Sequence, residues 1–494
     1  MLPLRAQEQN HEHRAPEKLG AVSFANSCAP AVQARFERAV ALLHSFTYSL
    51  SEQAFREVAE ADPRCAMAHW GITMTYYHEL WEPAISAANL ARGRAELEQA
   101  KELGGTEREK EFIDALSVYY RDSENVTPAQ RAKSYADAMS DVARKNASDV
   151  EAQVFYALAL LSAASPLDKT HANQKLAAQI LEPLFRQQPQ HPGIAHYLIH
   201  ACDNAEMASQ GLPAARAYAA IAPSASHALH MPSHIFTRLG LWDDSIASNQ
   251  SARAAAHQQG DTGEELHAMD YLTYAYLQRG RDAEAAQVVE DLKSKSLRSA
   301  SDFKVAYATT AMPVRYAIER KQWAEAANLE PLPGAPAHVA AISYWARAVA
   351  LARLSRAESA AAEIAKLEEC LEQLRAKGNT YWATQTHVLL LEAQGWIALA
   401  GGKSEEAAAS LRSAAEEEDG VEKLPVTPGP ILPAREQLAE MLLSLNRPAE
   451  AMTEFDASLA ASPGRRAALL GAARCAELLG DKTKAQQLRA ALSQ

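Results

Sequence analysis

Small and large apolar residues recur along this chain in a fixed order, interrupted at intervals by polar residues, glycine and proline. The clearest instance lies near the C-terminus. Leu438-Ala439 and Leu442 mark a first helix, Ala451, Phe455 and Ser458 a second, and Pro463 stops it. Spacings of three and four put such residues on one stripe of a helix. The small ones let two helices approach closely, and the large ones fill the gap against the next pair. The frame returns as Leu42, Phe55 and Pro63, then Ile72 and Tyr76, then Gly240, Trp242, Ile246 and Ala252. Leu272, Tyr276, Gly280 and Ala285 continue it, followed by Trp323 with Ala326 and Gly402 with Ala407. Unit starts fall near 32, 66, 192, 226, 266, 307, 388, 432 and 466, most neighbours being about 34 to 41 residues apart. Regions 105–190 and 340–387 are helical but match more loosely, which predicts longer helices or inserted turns. The expectation is an all-α, right-handed α-solenoid of about ten to twelve helix hairpins.

Three segments break the pattern. Residues 1–30 read as extended and weakly ordered, with a polar head that includes His11 and His13. Pro331 to Pro336 cannot continue a helix, nor can Gly420 to Pro433 with its four prolines. These breaks predict an N-terminal segment 1–30, an array over 31–330 and a second array over 337–494, although one continuous superhelix fits equally. Composition agrees with close helix packing: 48% of residues are hydrophobic, only 7% aromatic, and long stretches are rich in Ala, Leu, Glu, Gln and Arg.

The repeat offsets identify the chain as a member of the tetratricopeptide superfamily. A narrower resemblance rests on Ser27-Cys28 with Leu42-Leu43-His44-Ser45-Phe46, on Asp62-Pro63-Arg64-Cys65 through His69-Trp70-Gly71, and on the stretch from His191-Pro192-Gly193 to His234-Ile235-Phe236. Together these resemble a bacterial group of tetratricopeptide proteins, many of them exported, without an assigned activity. His69, where that group carries Tyr or Trp, and Cys202 depart from its pattern. The resemblance implies fold and export, not a reaction.

Charge and cysteines narrow the possibilities. A net charge of −12 argues against general nucleic-acid binding. No apolar run approaches the roughly 20 residues of a membrane span. Met1 to Gln7 is too short for a secretory signal, but Arg5-Ala6-Gln7 would suit the end of a longer one. The compartment is therefore periplasmic or exported if a signal lies upstream, and otherwise cytoplasmic. No C-x-x-C occurs among the five cysteines; Cys28 and Cys65 could bridge in an exported protein, or all five could be buried thiols.

Chemistry concentrates in one place. Sixteen histidines scattered evenly would put about one and a half in a 44-residue window, yet residues 191–234 hold six: His191, His196, His200, His227, His230 and His234. His196 and His200 fall at the fifth and ninth places of one unit, His230 and His234 at the same places of the next. Spacing of i, i+4 stacks each pair on one helix face, and adjacent helices lie about 8–10 Å apart. Four imidazoles are thus expected to converge as ligands for a transition metal, Zn or Cu. His267 and Asp270 in the following unit could supply a further ligand or orient one of these rings, and Asp203 is a second candidate for the orienting role. Pro232 must begin its helix or kink it, which could leave His230 as a cap. The plainer reading gives these histidines ordinary backbone or carboxylate partners.

A second collection, His44, His69, Trp70, Tyr76, Tyr77, His78 and Trp81, reads as a stacking wall or, more simply, as core. Phosphate-loop, dinucleotide, nucleophile-elbow and H-E-x-x-H signatures are absent. Acidic runs such as Glu107-Arg108-Glu109-Lys110-Glu111 read as solvated surface. The leading expectation is an interaction scaffold holding a peptide or partner protein in a concave groove, with Arg238, Asn249, Tyr274, Gln278 and Arg315 as contacts. The alternative is a metalloprotein or metal-dependent enzyme centred on the four histidines.

Overall fold

The computed structural model describes residues 17–77, 85–295 and 302–492. Among them every regular element is helical. Ser226–His230 and Pro232–Arg238 follow one another as a bent rod, so the helices fall into twelve successive hairpins. Each first helix packs on its own second helix, and most also touch the first helix of a neighbouring hairpin. This is the pairwise packing of a tetratricopeptide solenoid. Gly471 and Gly71 show why the small positions are needed: a Cβ there would lie 2.1 Å from the Phe455 ring and 2.3 Å from the Phe55 ring. The loosely matching region 105–190 holds two ordinary hairpins, Glu107–Tyr120 with Pro128–Lys145 and Val150–Ser162 with Ala172–Gln187. Capping boxes at Thr106 and Thr127 start two of these helices. Region 340–387 is mostly the hairpin of Ala337–Arg353 and Ala357–Ala376, the latter twenty residues long.

Residues 17–29 have no regular secondary structure, but they are pinned. Phe24 is fully buried against Phe36 and Trp70. The Lys18 amide donates to Ser224 Oγ and the Ala21 amide to the Gln190 carbonyl. A disulfide joins Cys28 to Cys65, while Cys202, Cys370 and Cys475 are buried thiols. His11, His13, His78 and Trp81 lie outside the described residues. Of the second collection, His44, Trp70, Tyr76 and Tyr77 are core, and His69 pairs with Glu96 at 2.6 Å. No described helix is long and apolar enough to cross a membrane.

Candidate metal centre

Three successive first helices carry the histidines. His196 and His200 sit on Pro192–Cys202, His227, His230 and His234 on the bent rod 226–238, and His267 on Thr262–Gln278. Pro232 opens the second half of the rod, where its missing N–H leaves no bond unmade. Met231 between the halves keeps helical dihedrals, φ −53° and ψ −36°, so His230 still faces His234, their Nε2 atoms 3.0 Å apart. Instead of one group of four, the structure forms two groups of three. His227 joins His196 and His200, and His267 joins His230 and His234; within each group one donor atom per residue lies within 4.8 Å of the others. His267, expected either as a further ligand or as an orienting residue, stands in the second group. His227, like His191, had no assigned place in the sequence, although it lies seven positions before His234, on the same helical face.

The outward nitrogens fix the protons. His196 Nδ1 donates to the His44 carbonyl at 2.6 Å, and His227 Nδ1 to Glu264 Oε2 at 3.1 Å. His234 Nδ1 donates to Asp203 Oδ2 at 2.9 Å. His230 Nδ1 meets Asn249 Oδ1 at 2.6 Å, and that amide is oriented by its own Nδ2, which donates to the Ser245 carbonyl. A neutral ring whose Nδ1 holds the proton presents a lone pair at Nε2. Lone pairs therefore face each other between His230 and His234, and His196 and His227 bring their Nε2 atoms to 3.2 Å. His200, whose Nδ1 has no hydrogen-bond partner among the described residues, can put its proton on Nε2, 3.1 Å from His196 Nε2.

Protonation does not relieve this. Burial, reinforced by neighbouring rings, holds His196, His200, His230 and His267 well below the ordinary histidine range. Burial also lowers His234, to about 4, against the pull of Asp203. Two nitrogens on one tetrahedral ion with bonds of 2.0–2.1 Å lie about 3.3 Å apart, close to the separations seen. The carboxylates behind the rings stay ionised despite burial: Lys304 holds Glu264 low, and Lys423 and Arg238 hold Asp203 low.

A third cluster, His44, Glu151 and His191, makes the contrast. The Ile194 amide donates to His191 Nδ1, so its Nε2–H donates to Glu151 Oε1 at 3.0 Å. Tyr197 Oη meets His44 Nδ1 at 3.0 Å, and His44 Nε2–H reaches Glu151 Oε2 at 3.0 Å. Every proton has an acceptor there. The two rings outweigh burial and hold Glu151 at about 2. This network needs no ion.

Two aromatic rings and a loop wall the six imidazoles. Phe46 lies 4.4 to 5.7 Å from the rings of the first group, and Tyr271 4.7 to 5.3 Å from those of the second. Tyr271 Oη donates to carbonyls of the proline-rich loop, Pro425 or Thr427, each at 3.2 Å. Lys423 of the same loop binds Asp203 at 2.7 Å. The five expected groove residues are all engaged within the chain. Arg238 holds Asp203, Asn249 holds His230, and Arg315 donates to the Pro430 carbonyl at 2.8 Å. Tyr274 accepts from Arg465, and Gln278 bonds Glu319 and the Arg466 amide. Asp270 faces Arg315 at 3.7 Å, and burial raises its carboxyl to about 6.

No protein-family model and no curated protein matches this chain. Among solved structures it is similar to a monomeric mutant of IFIT1 with Gppp-AAAA, at a TM-score of 0.38 and 11% identity over 86% of this chain and 90% of that one. The human IFIT1 dimer with m7Gppp-AAAA gives 0.37 and 11% over 86% and 89%. At that level the likeness carries nothing about the site, and the oligonucleotides belong to those proteins.

Proposed function

We propose that this chain is a metalloprotein on a tetratricopeptide-like scaffold, holding transition metal, zinc or copper, through His196, His200 and His227 and through His230, His234 and His267. The observation that carries this reading is the pair of facing lone pairs on His230 and His234, 3.0 Å apart, beside the close approach of His196 and His227 Nε2 at 3.2 Å. The outward Nδ1 atoms of His196, His230 and His234 are committed to acceptors and burial holds these rings low, so a cation is the partner that satisfies their inward nitrogens. The acceptors Glu264, Asp203 and Asn249 raise ring basicity and fix ring orientation, as partners behind metal-bound histidines do. The Cys28–Cys65 bridge and the resemblance to exported bacterial proteins support an oxidising compartment. The test is elemental analysis of protein purified without a histidine tag. Near-stoichiometric metal is expected, reduced in His227→Ala and in His267→Ala. Metal-free protein with an intact helical spectrum would end the reading.

One observation favours the scaffold reading beside it. The face where a solenoid would take a peptide is met by the chain's own segment 420–433, read largely through backbone carbonyls by Tyr271 and Arg315. The peptide ligand of this groove is, on this reading, internal.

A further inference from the structure

The two histidine groups are neighbours. His200 and His234 ring centroids lie 6.0 Å apart, and those of His227 and His230 6.2 Å. An ion sits about 3 Å from the centroid of each imidazole that binds it. The two groups of donors are thus adjacent, the arrangement that lets one small molecule touch an ion in each. Three imidazoles leave a fourth position open on each ion. All six rings are buried, none more than 8% exposed, so whatever enters that position is small.

Charge selects the ion. No carboxylate or thiolate belongs to either group of donors. The nearby carboxylates already have cations of their own: Glu264 pairs with Lys304, and Asp203 with Arg238 and Lys423. A divalent ion in each group would bring two uncompensated charges into a buried site. A monovalent ion brings one, and the cost of burying an ion rises steeply with its charge. Copper(I) is the monovalent transition ion that suits imidazole.

Resting on the metal reading above, we propose that the two triads form one dinuclear copper(I) centre whose exchangeable ligand is dioxygen. Each copper(I) gives one electron, and dioxygen takes both, becoming a peroxide-level dianion between two copper(II) ions. The O–O bond order falls by one, no proton moves, and release of dioxygen returns both electrons.

The experiment loads the full chain with copper(I) without oxygen, removes excess copper and titrates with dioxygen. Two coppers per chain are expected, with one dioxygen taken up for two coppers. A charge-transfer absorption should appear and vanish on deoxygenation, and no copper(II) paramagnetic resonance should be seen, because the two spins couple. His227→Asn and His267→Asn each leave one complete triad. With folding checked by circular dichroism, each should bind one copper and lose dioxygen uptake at least about tenfold. Two coppers that take up no dioxygen, or that oxidise to two independent paramagnetic ions, overturn the proposal and leave the metal reading standing. A folded chain that binds neither copper nor zinc overturns both.

Discussion

A buried histidine is tolerable when each ring nitrogen has a partner of the right kind, and the clusters in this chain differ on that single point. Glu151 accepts from two rings and closes its network. His230 and His234 direct both protons outward and are left with lone pairs opposed. The consequence is a pH dependence of the metal-free protein. An unfolded ring titrates near 6.5, while His234 in the fold titrates at about 4 and its neighbours are likewise depressed. Between those values the unfolded chain binds protons that the folded chain refuses. Stability is therefore intact above about pH 6.5 and falls on acidification, by about 1.4 kcal/mol per pH unit for each such ring. Melting temperatures of metal-free protein at pH 7.5, 6 and 5 should drop progressively; a constant value down to pH 5 would contradict the neutral, depressed rings. The i, i+4 pairs and the orienting role of Asp203 were legible in the sequence because both follow from helical periodicity. The division into two triads was not. It depends on how far the next hairpin brings His267 forward, and helix packing, not spacing, decides that.

Elements carry the second part of the argument, above all the segment from Gly420 to Pro433. Its prolines announced a loop, correctly for a backbone that lacks the donors of a helix. They gave no sign of where the loop packs, since its partners Asp203, Tyr271 and Arg315 lie more than a hundred residues away. Lys423 is the charged anchor. Burial lowers its ammonium to about 8, yet Asp203 and Glu422 keep it cationic at neutral pH. Because Asp203 also orients His234, the loop is coupled to the site through one carboxylate. Lys423→Gln removes that anchor while Arg238 still pairs with Asp203. Its cost should fall below the roughly 3–5 kcal/mol of a wholly broken buried pair, at about 1–3 kcal/mol. Protease cleavage within 420–433 should accelerate correspondingly. Unchanged cleavage and an unchanged urea midpoint would mean that Lys423 does not hold the loop in place.

At the scale of the whole molecule, the twelve hairpins among the described residues lie at the upper end of the ten to twelve that the small–large frame predicted, because each hairpin repeats one packing problem. What repetition cannot encode is the contact that breaks it. Arg465, fully buried at the start of the last hairpin, donates to Glu436 at 2.7 Å, to Glu319 at 2.8 Å and to Tyr274 at 2.9 Å. Trp242 Nε1 donates to the adjoining Gly464 carbonyl. The last hairpin is thereby joined to the helices Thr262–Gln278 and Phe303–Glu319, so the first of these carries His267 on one stretch and meets Arg465 on another. Arg465→Met leaves two carboxylates buried without their cation and should cost about 3–5 kcal/mol. Neutralising one of them separates lost attraction from stranded charge: Arg465→Met with Glu436→Gln should recover part of the loss, a coupling that a double-mutant cycle in urea measures. A single-variant cost under about 1 kcal/mol would show that the last hairpin is only loosely attached. In that case the geometry of His267 would depend on its own hairpin and its immediate neighbours, and not on closure of the chain.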